Sequence, residues 1–252
     1  MEIVLLTALG VGGASVFGAL LGFVFKKITH RFSDIVLSFA AGVMLAAAVV
    51  GLILPSISSP DIPSLIVTVA GVFCGAFCVT VIDKIVPHLH KLAGIDIEAH
   101  PERQQQLNRI LLFVIAIAIH NLPEGIAAGV GFGTGNNAQA FTIALGIALQ
   151  NIPEGMVIIA PMLATGMSHG RVLLVAVATG VIEVIGTFLG FFAVSISSAV
   201  LPFALAFAGG TMIYVVSDEM VIETHAHGSE RGATYALLVG FCLMLAFDTL
   251  LG

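Results

Sequence analysis

Two near-copies of one short segment hold the residues best suited to chemistry. His120-Asn121-Leu122-Pro123-Glu124-Gly125 is followed 30 positions later by Gln150-Asn151-Ile152-Pro153-Glu154-Gly155, each inside a strongly apolar stretch. His120 and Glu124 are four residues apart, as are Gln150 and Glu154, so on a helix each pair shares a face about 6 Å apart in height. Asn121 and Asn151 flank the same faces. Pro123 and Pro153 cannot donate to the carbonyls of Ile119 and Leu149, which predicts a kink in each helix and a carbonyl turned toward the cluster. Carboxylates, an imidazole and neutral amide oxygens together describe a site for a divalent transition metal. Histidine and glutamate suit Zn²⁺ or Fe²⁺, while the lack of a thiolate cage argues against a tight structural zinc site. Met44, in "AAGVMLAAA", offers a soft thioether, although a methionine in such a run usually packs a core. By the same reasoning a solitary His120 would be read as a satisfied core histidine; its company changes the reading.

The elements that must position these groups follow from composition. Of 252 residues, 58% are hydrophobic and 10% charged, with a mean hydropathy of +1.11. Soluble domains carry roughly a quarter of their residues charged, so the expected class is an all-α polytopic membrane protein. Eight apolar runs of spanning length cover about 3–25, 34–54, 64–86, 110–131, 139–161, 171–195, 202–223 and 232–250. They leave no room for a soluble domain, and residues 1–252 read as one transmembrane domain. The first run is expected to remain as a span, since it is too long for a cleaved signal and begins with Glu2.

Basic residues set the expected orientation. Lys26, Lys27, Arg31, Lys84, Lys91, Arg103, Arg109, Arg171 and Arg231 all lie in or beside odd-numbered connections, and the even ones carry none. The positive-inside rule then puts the odd connections in the cytoplasm and both termini outside. The expected location is a plasma membrane crossed several times. The formal charge of −6 says little about partners, because several acids lie within spans, and nothing here suggests a nucleic acid.

Depth sharpens the case for a site. The fourth span centres near His120, Asn121 and Glu124; the fifth near Gln150, Asn151 and Glu154; the sixth on Glu183. Each ionisable group at the bilayer centre costs about 2.5–3.5 kcal/mol on insertion scales, which predicts one interior cluster. Consecutive spans run antiparallel, so the two motif copies point in opposite directions. Interrupted segments in opposed orientation near the midplane mark a transporter site built on a pseudo-two-fold.

The paired HNxPEG and QNxPEG segments resemble the signature of the ZIP family of divalent metal transporters, most closely its bacterial GufA-like branch. The resemblance covers essentially the whole chain and implies uptake of Zn²⁺, often with Cd²⁺, Fe²⁺ or Mn²⁺, as transported substrate without a prosthetic group. It also implies two three-helix units around a central helix pair. Carried over by motif position, Met44, His120, Glu124, Gln150 and Glu154 match a primary metal position. Asn121, Glu124, Asn151, Glu154 and Glu183 match a second, bridged by the two glutamates. Some relatives have aspartate where this chain has Asn151, and a neutral amide there predicts a weakened second position. A homodimer is compatible with the sequence.

Other polar residues carry less. His88, His90 and His100 fall in the long third connection, where transient metal capture competes with an ordinary solvated loop. Asp218, Glu219, Glu223, His225 and His227 at the end of the seventh span resemble an exit-side relay, and Asp248 lies near the outer end of the last span, where it could guide entry. Cys74, Cys78 and Cys242 read as small packing residues. A di-metal oxidase would want paired Glu-x-x-His elements and an intramembrane metalloprotease His-Glu-x-x-His; neither occurs, so no enzyme is expected. A proton-coupled carrier of another solute is the alternative, but would not need clustered metal ligands.

Overall fold

The computed structural model describes residues 1–25, 29–92, 121–164 and 166–251. Every regular element among them is helical. The first helix, α1, is Glu2–Val24; α2 runs His30–Ala46, continues as a π-helical segment Ala47–Ile53 and ends with Leu54–Ser56; α3 is Ile62–Leu92. The fourth, α4, is described over 121–131. After it, α5 is Asn137–Val157, resumed as Ile159–Ala164; α6 is His169–Ile196; α7 is Leu201–Val215 with a π segment Val216–Met220 and a last turn Val221–Thr224; α8 is Glu230–Leu251. Among the described residues, α1, α2, α3, α5, α6, α7 and α8 are long and apolar enough to cross a membrane.

Local chemistry explains several starts. Thr29 caps α2 by accepting from the Phe32 amide at 3.2 Å, and Asp61 accepts from the Ser64 amide at 2.7 Å in the first turn of α3. Gly135, at φ 73°, turns the chain so that Asn136 can cap α5 through the amides of Ala138 and Gln139. These side chains satisfy amides that a helix start leaves without partners. One boundary differs from expectation: the third connection was to begin at 87, yet α3 stays helical through Leu92. The apolar run ends, but Leu89, Lys91 and Leu92 are good helix formers, and no glycine intervenes before Gly94.

Packing sorts the helices into pairs, with α1 against α5 and α6, α2 against α8, and α3 against α7 most extensively. Glycine backbones mediate the close approaches. A Cβ on Gly12 would lie 2.3 Å from the Gly180 carbonyl oxygen, and one on Gly180 would lie 2.4 Å from that of Gly12. A Cβ on Gly125 would meet the Glu183 carbonyl oxygen at 2.3 Å, and one on Gly155 would meet that of Ser15 at 2.3 Å. These contacts repeat by rule: Gly12 with Gly180 and Ser15 with Glu183 are each 168 apart, while Gly125 and Gly155 are 30 apart. The pairing α2–α8 matches α7–α3 in the same way, with Gly42 against Leu237 and Gly210 against Val72. Both α2 and α7 carry a π segment. The molecule is thus an internal repeat whose axis passes between α1 and α6 and between the two motifs. The tightest pairings join helices of different units, so the two expected three-helix units interlock rather than stand apart. In lipid, where no hydrophobic force joins helices, such small-residue contacts supply the packing.

Outward faces are apolar, with Phe73, Phe77, Leu174, Ile185 and Val239 at least half exposed. Cys74 and Cys242 are also exposed and Cys78 half-buried, so the first two lie on the outer surface rather than packing the interior.

Candidate metal site

The polar groups expected at mid-span do meet. Glu124 (1% exposed), Gln150 (0%), Asn151 (1%) and Glu183 (0%) are as buried as the apolar core. Asn121 and Met44 are buried beside them, and Glu154 is half-buried. His120 lies outside the described residues. Pro153 sits within α5, so its backbone cannot close the helical bond to Leu149, and Gly155 lets α5 press against Ser15 of α1.

Two carboxylates organise the amides. Glu124 Oε1 accepts from Gln150 Nε2 at 2.9 Å, joining α4 to α5. Glu183 accepts from three helices: Ser15 Oγ on α1 at 2.7 Å and the Asn121 amide on α4, both at Oε1, and Asn151 Nδ2 on α5 at 2.9 Å at Oε2. Asn151 Nδ2 also reaches the Val11 carbonyl at 3.3 Å. Each amide therefore turns its NH₂ end toward a carboxylate or carbonyl. What remains is a set of oxygens: Glu124 Oε2, Gln150 Oε1 and Asn151 Oδ1 are fully buried with no hydrogen-bond partner. A buried oxygen left without a donor costs about 1–3 kcal/mol, and here three share one locale. Among the described residues no three His, Cys, Asp or Glu side chains form a ready cage. Met44 lines the cavity beside this cluster.

A cavity of about 440 Å³ adjoins this cluster. Ser15, Met44, Asn121 and Glu154 line its mid-span end; Asp218, Glu219 and Glu223 of α7 line the end where α1 finishes and α2 begins. Leu52, Ile143 and Ile147, at 0% exposure, belong to the main apolar core. Ile143 wedges between α2 and α4, its Cγ1 3.0 Å from a Cβ placed on Gly51 and its Cδ1 3.2 Å from one on Gly131.

Some expected residues stand elsewhere. His225 Nδ1 lies 2.9 Å from the Val221 carbonyl and its Nε2 3.2 Å from Thr234 Oγ1, away from the cavity. His227 pairs with buried Asp34 at 3.0 Å and stacks on His30. The expected relay thus divides: its acids line the cavity and its histidines do not. His88 and His90 are on α3 backbone, and His100 is outside the described residues. Asp248 is half-buried near the end of α8. Ser15 is the site residue that sequence reasoning missed. Its only signal was a spacing of 168 from Glu183, which has no meaning until the repeat is seen in three dimensions.

Helices of membrane-spanning length that bury carboxylates and amides together beside a cavity are the arrangement of a membrane transporter for a small cation. Comparison with known proteins specifies which kind. Residues 88–248 match the family model described as ZIP Zinc transporter. The chain is 42% identical over 183 residues to the zinc transporter GufA of Myxococcus xanthus, covering 73% of this chain and 70% of that one. It is 38% identical over 256 residues to the zinc transporter ZIPB of Bordetella bronchiseptica (96% and 81%), and 32% identical over 253 residues to the zinc transporter ZupT of Chlorobaculum parvum (95% and 94%). The chain belongs to the ZIP family, as a multi-pass membrane protein of its GufA-like branch.

Proposed function

We propose that this protein carries Zn²⁺ across the membrane into the cytoplasm through the buried cluster at mid-span, with Cd²⁺, Fe²⁺ and Mn²⁺ as weaker or competing substrates. The observation that carries the reading is the trio of buried oxygens on Glu124, Gln150 and Asn151 without hydrogen-bond donors. A cation bound there would remove their desolvation cost, and the mixed ligand set suits a borderline metal that must leave as well as arrive. The names of the relatives above agree with zinc. The primary ligands are Glu124, Gln150, Glu154 and His120, with Met44 at the edge.

Direction follows from the cavity and the charge pattern together. The acids of α7 that line the cavity lie toward the basic connections, the cytoplasmic side by the positive-inside rule. On this reading the metal passes from the cluster along Asp218, Glu219 and Glu223 to the cytoplasm. The test is uptake of radioactive zinc into proteoliposomes with cadmium, iron and manganese as competitors. Saturable zinc uptake, inhibited by these metals in a ranked order, is expected; uptake of none of them would reject the reading.

A further inference from the structure

Another buried acid stands apart from the central cluster. Asp34, at the start of the second turn of α2, is 3% exposed. It is not used to begin the helix, because Thr29 already caps α2. Its Oδ1 accepts from His227 Nδ1 at 3.0 Å, while its Oδ2 is buried without a hydrogen-bond partner among the described residues. His227 lies in the connection between α7 and α8, beside a turn made by Gly228 at φ 81°. His30, one turn before Asp34, stacks on the His227 ring with centroids 4.9 Å apart. One helix, α2, thus holds this imidazole at an edge and on a face.

The place of the contact gives it a role. Helix α2 packs against the π segment and the last turn of α7, and Leu37 of α2 lines the cavity together with Asp218, Glu219 and Glu223 of α7. Asp34 stands three residues from Leu37, and His227 four from Glu223. The bond therefore joins two walls of the cavity at one end. The repeat carries no second copy of it: 168 positions from Asp34 and His227 stand Pro202 and Ser59, and a proline side chain can neither donate nor accept. We propose that Asp34 is a positioning residue for transport: through His227 it braces α7 against α2 and holds the three acids of α7 along the cavity wall. Its effect on rate rests on the zinc-transport reading above. On that reading the acids lie beyond the cluster in the direction the metal leaves, so the brace governs release more than capture.

Zinc uptake is measured in proteoliposomes over a range of zinc concentrations, with rates normalised to folded protein. Asp34→Ala and His227→Ala should each lower kcat roughly tenfold, the scale of one hydrogen bond to a charged group. KM should stay within about twofold of the parent, as for a group that acts after binding. His227→Asn, whose amide N–H can take the place of Nδ1–H, should keep most of the parent's rate. In detergent, His227→Ala should melt roughly 5 °C early, since it leaves a buried carboxylate without its donor, and adding Asp34→Ala should recover most of that loss. Losses that simply add in the double variant would show that the residues do not act as a pair and would overturn the brace. Parental kcat in folded Asp34→Ala would overturn the positioning role, and this variant leaves no buried charge behind, so it serves even where His227→Ala does not fold. An absence of zinc uptake by the parent would reject the transport reading, and the melting temperatures would still decide the brace.

Discussion

At the scale of the residue, the account turns on which end of each polar side chain faces the metal. Gln150 and Asn151 each donate to a glutamate and leave an oxygen without a donor. Substituting Gln150→Glu should therefore set two carboxylates at the 2.9 Å contact with Glu124; tighter metal binding and slower turnover are expected, read as lower KM and lower kcat in zinc uptake. Glu183→Ala carries a different expectation from the one a peripheral ligand would. It strips the acceptor from three buried donors, at about 1–3 kcal/mol for each group left unsatisfied, so a large loss of thermal stability should accompany any loss of transport. An unchanged melting temperature would contradict the hydrogen-bond pattern. The motif residues were legible in the sequence because glutamate, proline and asparagine are so improbable at the centre of apolar runs. Ser15 was not, because a serine in "GGAS" is an ordinary helix-packing residue until its partner is known.

At the scale of the element, glycine position decides stability. Gly12 and Gly13 are neighbours on α1, but a Cβ on Gly12 would lie 2.3 Å from the Gly180 carbonyl oxygen, whereas one on Gly13 would meet nothing within 4 Å. Gly12→Ala should destabilise by roughly 1–3 kcal/mol through overpacking, and Gly13→Ala should be neutral or slightly stabilising through helix propensity. Thermal unfolding of the two variants in one detergent checks this, and equal effects would mean that α1 and α6 are not so close. The spans themselves were readable from hydropathy, which reports burial in lipid. Their pairings were not, since α2–α8 and α3–α7 depend on which glycine faces which backbone, and a single chain gives every glycine the same letter. The extension of α3 to Leu92 was missed for a related reason: apolarity marks where a membrane ends, not where a helix does. The π segments in α2 and α7 also left no trace in composition, being a matter of hydrogen-bond register.

At the scale of the whole molecule, side-chain chemistry breaks the symmetry of the repeat. Asp218, Glu219 and Glu223 of α7 line the cavity, whereas the matching places on α2, 168 positions earlier, are Val50, Gly51 and Pro55. Single cysteines at Ser59 and Ala138 should react with an impermeant thiol reagent from outside, and one at Ser168 only from inside; the reverse pattern would overturn the orientation. The central claim is that zinc crosses at the buried cluster. It is tested most directly by comparing radioactive zinc uptake in proteoliposomes holding matched amounts of the parent chain and of Glu154→Ala, each shown to be folded by size exclusion. The account predicts saturable uptake by the parent and loss of at least about 100-fold in the variant, the scale of about 3 kcal/mol removed from a bound cation. Uptake at the parent's rate by a well-folded Glu154→Ala would contradict it.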